Sequence, residues 1–279
     1  MFREVGVASV QGPKEAQQDT FLVKGNMIGV FDGNGYVHGA TVANRVKELF
    51  SGLDETILEE CRKVGSFALA FSTVAAEINN DWRGHGGGST ATLVRTTLEN
   101  MASPLPSPSA RTAWVGDSPA YSLRIRPDTL EVGDLLRGVN PVTWKTNLGA
   151  HNVDNPQEKT RMTDLGYTFD KDYFRRGRDG LQMSRAFGAH WFGSGVIAEP
   201  GESWVPLLPE PEDRLVLAVG TDGSLPVGNT EDEIFSEIAE MVRGGQSLPA
   251  IASYVTDKNA RNYGDNATLV LAEVSHDQY

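Results

Sequence analysis

Met27-Ile28-Gly29-Val30-Phe31-Asp32-Gly33-Asn34-Gly35 decides how this chain is read. Its first five residues are apolar or small and rich in β-formers; the run then stops on an acid and two glycines that flank Asn34. A run of this length, bounded by turn residues, predicts a buried strand. Asp32 then stands where rigid sheet gives way to loop. Gly33 and Gly35 let the backbone turn sharply there and approach a ligand. A carboxylate so fixed suits a cation, but Asp before Gly is equally an ordinary turn, and this stretch alone leaves both readings open.

The pattern recurs. Val216–Val219 is a second apolar run, closing on Gly220-Thr221-Asp222-Gly223. Gly116-Asp117-Ser118 follows the strand-like Thr112–Val115, and Gly264-Asp265-Asn266 opens the strand-like Ala267–Val274. Asp19 closes the loop ahead of Thr20–Val23. Asp19, Asp32, Asp117, Asp222 and Asp265 therefore fall at strand–loop junctions over nearly the whole chain. Hard divalent cations need several oxygen ligands, and two ions held close together need a carboxylate between them. A set of turn aspartates would share this spacing, so the pattern admits both.

Composition narrows the field. The 279 residues fit one large domain or two small ones; with no composition break, long linker or repeat, one domain over residues 1–279 is expected. A hydrophobic share of 39% with 30 glycines is that of a globular chain. The net charge of -12 opposes nucleic acid and anionic membrane surfaces as partners. An acidic protein that handles phosphate needs metal to offset its own repulsion. Cys61 is the only cysteine, which excludes an intramolecular disulfide and points to a reducing compartment. The N-terminus lacks a basic-then-apolar leader and no run reaches membrane-spanning length, so a soluble cytoplasmic protein is expected.

Along the chain, Val5–Val10 predicts a first strand, and Thr20–Val23 with Met27–Phe31 a hairpin across Gly25-Asn26. His38–Phe50 has helical spacing, with Val42, Val46, Leu49 and Phe50 on one face. A second helical stretch runs from about Asp54 to Trp82 with a break at Gly65; its stripe of Phe67, Leu69, Phe71, Val74, Ala75 and Ile78 is expected in the core. Gly84–Thr90 superficially resembles a phosphate-binding loop, but no Lys precedes the hydroxyl residue and a strand, Ala91–Arg95, follows. Strands are expected at Arg111–Val115 and Ala120–Arg126, with Ala102–Ala110 a surface loop. Residues 140–180 read as polar and irregular, apart from a helix at Asn155–Leu165 ended by Gly166. The basic cluster Arg175-Arg176-Gly177-Arg178 reads as a solvated loop in preference to a substrate contact. Two helices near Glu231–Val242 and Ser247–Lys258 precede the last strand. Strands in hairpin-like series with helices grouped in pairs predict an α+β sandwich, not alternating βαβ units.

Together these segments resemble the metal-dependent type 2C serine/threonine protein phosphatases, in order from about residue 5 to residue 272. Val30–Gly35 is similar to the family's Asp-Gly-His-Gly signature. Gly88–Ala91, Val115–Ser118, Ser184–Gly188, Thr221–Gly223 and Asp265-Asn266 are similar to later family motifs. Lys14 to Asp19 resembles the opening motif, which usually carries Arg five residues before the acid. The resemblance implies an α+β fold, a four-layer α/β/β/α sandwich of two antiparallel sheets flanked by helices. It implies two Mg²⁺ or Mn²⁺ ions bridged by Asp32, with the Gly33 carbonyl on one and Asp222 and Asp265 on the other. Asp19 would hold metal-bound water, and Asp117 with Asp222 a looser third ion found in many members. The implied substrate is a phosphoserine or phosphothreonine protein, its phosphate contacted by Lys14 and attacked in line by water, without a phosphoenzyme.

The chain departs from the family pattern in places. Lys14 replaces the usual Arg, exchanging a bidentate fork for a point charge. Asn34 replaces the His proposed as general acid in many eukaryotic members and carries no titratable proton. Pro119 and Ala189 replace an Arg and an acid, and His151-Asn152 replaces a common Asp-His pair with an expected structural effect only.

Rival chemistries fit less well. A haloacid-dehalogenase-type phosphatase needs an acid where Asn34 stands, a cysteine phosphatase would need an Arg where Phe67 follows Cys61, and a calcium loop from Asp32 needs Gly at Val37. The remaining competitor is a weakly active family member serving as a regulatory phosphoprotein-binding module.

Overall fold

A computed structural model describes residues 2–35, 37–82, 86–99, 107–137, 149–207, 212–225 and 231–275. Its helices are α1 (Gly39–Ser51), α2 (Glu55–Val64), α3 (Ala68–Trp82), α4 (Pro156–Asp164), α5 (Glu231–Arg243) and α6 (Leu248–Tyr263). Two antiparallel sheets of five strands lie between them. In spatial order, one runs Phe2–Val10, Ala267–Val274, Arg214–Gly220, Ala120–Ile125 and Leu130–Asp134; the other runs Gly201–Pro206, Ser107–Val115, Ala91–Glu99, Met27–Phe31 and Thr20–Lys24.

Side-chain alternation explains the layers. Leu215, Leu217 and Val219 pack against Ile28, Val30 and Val94 of the opposite sheet. Their neighbours Val216 and Ala218 turn outward onto Phe235 and Ile238 of α5 and Ile251 and Val255 of α6. A strand covered on both faces has no polar side, and so the sequence there is an uninterrupted apolar run. On the other outer face, α1 and α3 bury Val42, Val46, Phe50, Phe71 and Val74 against Leu22, Phe31 and Leu93. The result is the α/β/β/α sandwich.

The helix boundaries are local in origin. Asp54 caps α2 by accepting the Thr56 N–H at 2.7 Å, and Gly65 ends it in the left-handed conformation. Asn155 caps α4, with Pro156 opening its first turn. Gly264, at φ 69°, stops α6 one residue before Asp265 and so aims the chain into the last strand.

Beyond the sandwich, α4 and a three-stranded meander (Thr168–Asp170, Tyr173–Arg176, Asp179–Leu181) share a small separate core of Met162, Tyr167, Phe174, Leu181 and Phe192. Glu158 fastens this unit: its carboxylate accepts from Arg161, Arg185 and Ser184, and these partners outweigh burial to hold it down at about 2.

Some expectations need correction. The first strand begins at Phe2, and the strand Leu130–Asp134 and the meander within 168–181 carry no apolar run long enough to announce them. Ser107–Ala110, expected in a surface loop, extend the strand to Val115; the rest of that loop through 106 lies outside the described residues, as do residues 208–211 and most of the irregular stretch before 149. Leu69, expected in the core, is 47% exposed because it sits on the outer side of α3. Among the described residues no helix is long and apolar enough to cross a membrane.

Phe50 is fully buried and contacts the rings of Phe31, Phe71 and Phe187. Phe50→Ala should therefore cost about 3–5 kcal/mol in denaturant unfolding, whereas Leu69→Ala should stay within about 0.5 kcal/mol. Equal costs at the two positions would refute this layering.

Candidate active site

The predicted acids come together at one end of the sandwich. Asp32 follows the strand Met27–Phe31, Asp117 follows Ser107–Val115, Asp222 follows Arg214–Gly220, Asp19 precedes Thr20–Lys24, and Asp265 precedes Ala267–Val274. Antiparallel pairing brings these ends together although they are far apart in sequence. Burial is the first cause that pushes the Asp32 carboxyl well above its usual range, and the charges of Asp19, Asp222, Asp117 and Asp265 add to it. Asp19 and Asp222 stand beside the Asp32 carboxyl and are among the charges that raise it. Asp19 and Asp117 are both raised to about 7, by burial first and then by Asp222. Asp222 is raised too, by burial and then by Asp265.

A polar frame fixes these acids. Backbone bonds join Asp32 and Thr90 (Thr90 N–H to Asp32 O, 2.9 Å), and the Asp32 N–H donates to Thr90 Oγ1 at 3.0 Å. The Thr90 hydroxyl also bonds the Ser118 hydroxyl at 2.8 Å, tying the Asp117 turn to the Asp32 turn. Thr221 donates from Oγ1 to Asp19 Oδ2 at 2.7 Å and accepts the Thr268 N–H at 3.0 Å. Asn266 accepts the Gln18 N–H and donates to the Gln11 and Ala16 carbonyls, which shapes the loop that carries Lys14 and Asp19. His151 pins the other side: its Nδ1 accepts the Gly116 N–H at 3.3 Å, its ring stacks on Trp114, and burial lowers its pKa to about 3, so it stays neutral.

Glycines here answer to close packing. A Cβ on Gly223 would lie 1.9 Å from the Asn266 carbonyl oxygen, and one on Gly33 would lie 2.6 Å from the Gln18 oxygen. The glycine-rich approach to Thr90 does the same work: Gly88-Ser89 pairs with Gly33-Asn34 on one side and Phe187-Gly188 on the other. The rejected phosphate-loop reading therefore has a structural replacement for the described part of that segment.

Lys14 stands at the edge of the acids, its Nζ 3.0 Å from Asp265 Oδ1. Burial alone would lower its pKa, but the bond to Asp265 and the charges of Asp265, Asp222 and Asp32 outweigh it and raise it. Asn34 donates to the Met183 sulfur at 3.4 Å, and its buried Oδ1 has no protein partner. Arg175 pairs with Asp170 and Arg176 donates to the Phe192 carbonyl, so neither faces the acids. Cys61 lies on the buried side of α2 with its thiol pushed up by burial.

Every donor in this cluster is a hard oxygen, the set that suits Mg²⁺ or Mn²⁺ and not a soft metal. As placed, no three His, Cys, Asp or Glu side chains among the described residues make a finished cage. Burial and mutual repulsion raise Asp32, Asp19, Asp117 and Asp222 above the usual carboxylate range. A divalent cation would discharge that repulsion, and the residues therefore fit such an ion.

A two-sheet sandwich with an acidic crevice at its strand ends is the architecture of serine/threonine phosphatases of one class. The chain matches the family model for protein phosphatase 2C over residues 12–223 and belongs to that family. Members of the family generally depend on Mg²⁺ or Mn²⁺. A phosphatase structure from Toxoplasma gondii shares the fold at a TM-score of 0.69 and 21% identity, covering 98% of this chain and 94% of that one. The serine/threonine phosphatase Stp1 of Staphylococcus aureus does so at 0.60 and 15%, covering 99% and 96%. Protein spalten of Dictyostelium discoideum is 23% identical over 312 residues, which span 96% of this chain but 27% of that protein.

Sequence reasoning singled out the acids but missed Thr90, Ser118, Thr221 and Thr268 as their holders. The available signal was a hydroxyl residue beside several acids, in Asp117-Ser118 and Thr221-Asp222.

Raised carboxyl pKa values mean that the metal-free fold binds more protons than the unfolded chain between about pH 4 and pH 7. Their contribution is thus complete below pH 4 and is lost as pH rises through 7. Chelated protein should melt at lower temperature at pH 8 than at pH 5, Mn²⁺ should reverse the loss, and Asp117→Asn should flatten the slope. A melting temperature that rises over that interval without metal would contradict this electrostatic description.

Proposed function

We propose that this protein is a Mg²⁺- or Mn²⁺-dependent phosphatase of phosphoserine and phosphothreonine proteins, with the whole chain serving as one catalytic domain. The observation that carries the reading is the set of five mutually repelling carboxylates, fixed by a polar frame, with Lys14 as the cation bonded to their edge. Asp32, the Gly33 carbonyl, Asp222 and Asp265 would hold the ions. Asp19 would hold water at the ions, and Asp117 with Asp222 would hold a third ion. When bound, the cations supply an acidified water and positive charge against the phosphoryl oxygens.

The chain's own groups do the rest. Thr90 fixes the backbone at Asp32, and Thr221 holds the Asp19 carboxylate directly. Lys14, at the edge of the acids beside Asp265, would bind the phosphate dianion. Asn34 has no proton to give, so position 34 does not protonate the departing serine or threonine oxygen. No protein nucleophile is required, and Cys61 lies buried in the core. A regulatory binding module remains the weaker reading, because every acid of the site is present.

Hydrolysis of p-nitrophenyl phosphate and of a phosphothreonine peptide should require Mn²⁺ or Mg²⁺, and Asp32→Asn should abolish turnover while leaving the fold intact. Near-normal turnover by folded Asp32→Asn would overturn the reading.

Lys14→Ala should raise KM more than it lowers kcat, since it removes ground-state binding, and Lys14→Arg should restore affinity through a bidentate fork. Wild-type KM in both variants would reduce Lys14 to a surface partner of Asp265.

A further inference from the structure

A cavity of about 380 Å³ lies in the seam where α4 and its unit meet the sandwich. Trp114 and Gly201, paired on neighbouring strands, line its sandwich side; Arg137, His151 and the first turn of α4 line the rest. His151 is only 4% exposed, yet half of its hydrogen-bonding capacity is unused. Burial keeps the ring neutral, and Nδ1 accepts the Gly116 N–H, so the single ring proton sits on Nε2. Among the described residues nothing accepts from that Nε2–H. Gly201 stands against it: a Cβ there would lie 3.1 Å from Nε2, so glycine leaves the donor uncovered. A buried donor without an acceptor is costly and uncommon. The remaining polar groups around the cavity are matched. Glu158 accepts from Arg161, Arg185 and Ser184, and Glu202 from the Ser66 hydroxyl and the Phe67 N–H. Asn155 bonds the first turn of α4 and the Ala150 carbonyl, and the Trp114 N–H donates to the Gly149 carbonyl. The half-buried Arg137 guanidinium is the exception, with no ion pair to any described residue. The Asp134 carboxylate feels its charge but accepts the backbone N–H groups of Leu136 and Arg137.

We propose that this seam cavity binds a small oxyanion, a carboxylate or phosphate group that accepts from His151 Nε2–H and pairs with Arg137. The two unmatched groups are both donors and one is a cation, so the complementary ligand is rich in acceptors and negatively charged. Glu158 and Glu202 border the same space, and a small anion of one or two charges therefore suits it better than a polyanion. The same imidazole grips Gly116, the residue before Asp117, through its other nitrogen. One ring thus joins this cavity to the acid cluster. Binding here is separate from the phosphatase reading and does not depend on it.

The test follows the imidazole ¹⁵N and N–H resonances of the full chain while acetate or inorganic phosphate is added at constant ionic strength, with Mg²⁺ and after chelation. The chain has five histidines, and the signals lost in His151→Asn are those of His151. Asn keeps an acceptor near the Nδ1 position for Gly116 and removes the Nε2 donor. Should that variant fail to fold, ring-to-ring Overhauser contacts with Trp114 assign His151 in the wild type. The expected result is an Nε2-protonated ring whose N–H shifts saturably, with or without Mg²⁺, and an affinity about three- to tenfold weaker in Arg137→Gln. Saturation by acetate alone identifies a carboxylate ligand, and saturation by phosphate alone a phosphate group. An Nδ1-protonated ring, no saturable shift with either anion, or equal affinity in wild type and Arg137→Gln overturns the proposal. A shift seen only with Mg²⁺ also overturns it, because it places the anion at the acid cluster.

Discussion

Repulsion among carboxylates is the constraint around which this molecule is arranged. Asp19, Asp32, Asp117, Asp222 and Asp265 would separate in a flexible chain. Here each is anchored at the end of a strand whose other residues are locked in the sandwich. Val30 and Phe31 are fully buried immediately before Asp32, as is Val219 close before Asp222. The hydrophobic layers thus supply the force that holds like charges together. Burial first, and then this repulsion, raises the carboxyl pKa values, and a hard cation would relieve both.

The core alone would not fix the carboxylates to the accuracy that chemistry needs. The threonines, Ser118, Asn266 and neutral His151 do that by joining turns that are distant in sequence. Thr90 links the turns of Asp32 and Asp117, Thr221 links those of Asp222 and Asp19, and Asn266 links that of Asp265 to the Lys14 loop. Because the links cross between elements, no single turn can relax without disturbing another. The added unit around α4 is built differently. It has its own small core and is fastened through Glu158, and it lends exposed side chains to the mouth of the crevice while leaving the floor alone.

Much of this was legible in the sequence, for a physical reason. Strands buried on both faces leave continuous apolar runs, and turn residues mark their ends, so Met27–Phe31 and Ala267–Val274 were found at their actual bounds. Gly65 announced the break between α2 and α3 because a left-handed cap favours glycine. Leu130–Asp134 and the strands of the meander could not be read this way, since their side chains are largely half-buried or exposed and their lengths short. Leu69 misled because an apolar residue on the wrong side of a helix still fits a loose stripe. The acids could be placed at strand ends, but nothing local says that Thr90 reaches Asp32, or that Lys14 lies against Asp265. Those contacts are products of sheet order.

The central claim is that these carboxylates are set to exchange protons for divalent cations. Calorimetric titration of Mn²⁺ into chelated protein near pH 7, in two buffers of different ionisation enthalpy, tests it directly. The account predicts saturable binding of at least two ions with net proton release, because burial and neighbouring charge raise the Asp32, Asp19 and Asp117 carboxyls in the metal-free fold. Binding with no buffer dependence, or no saturable binding at all, would contradict it.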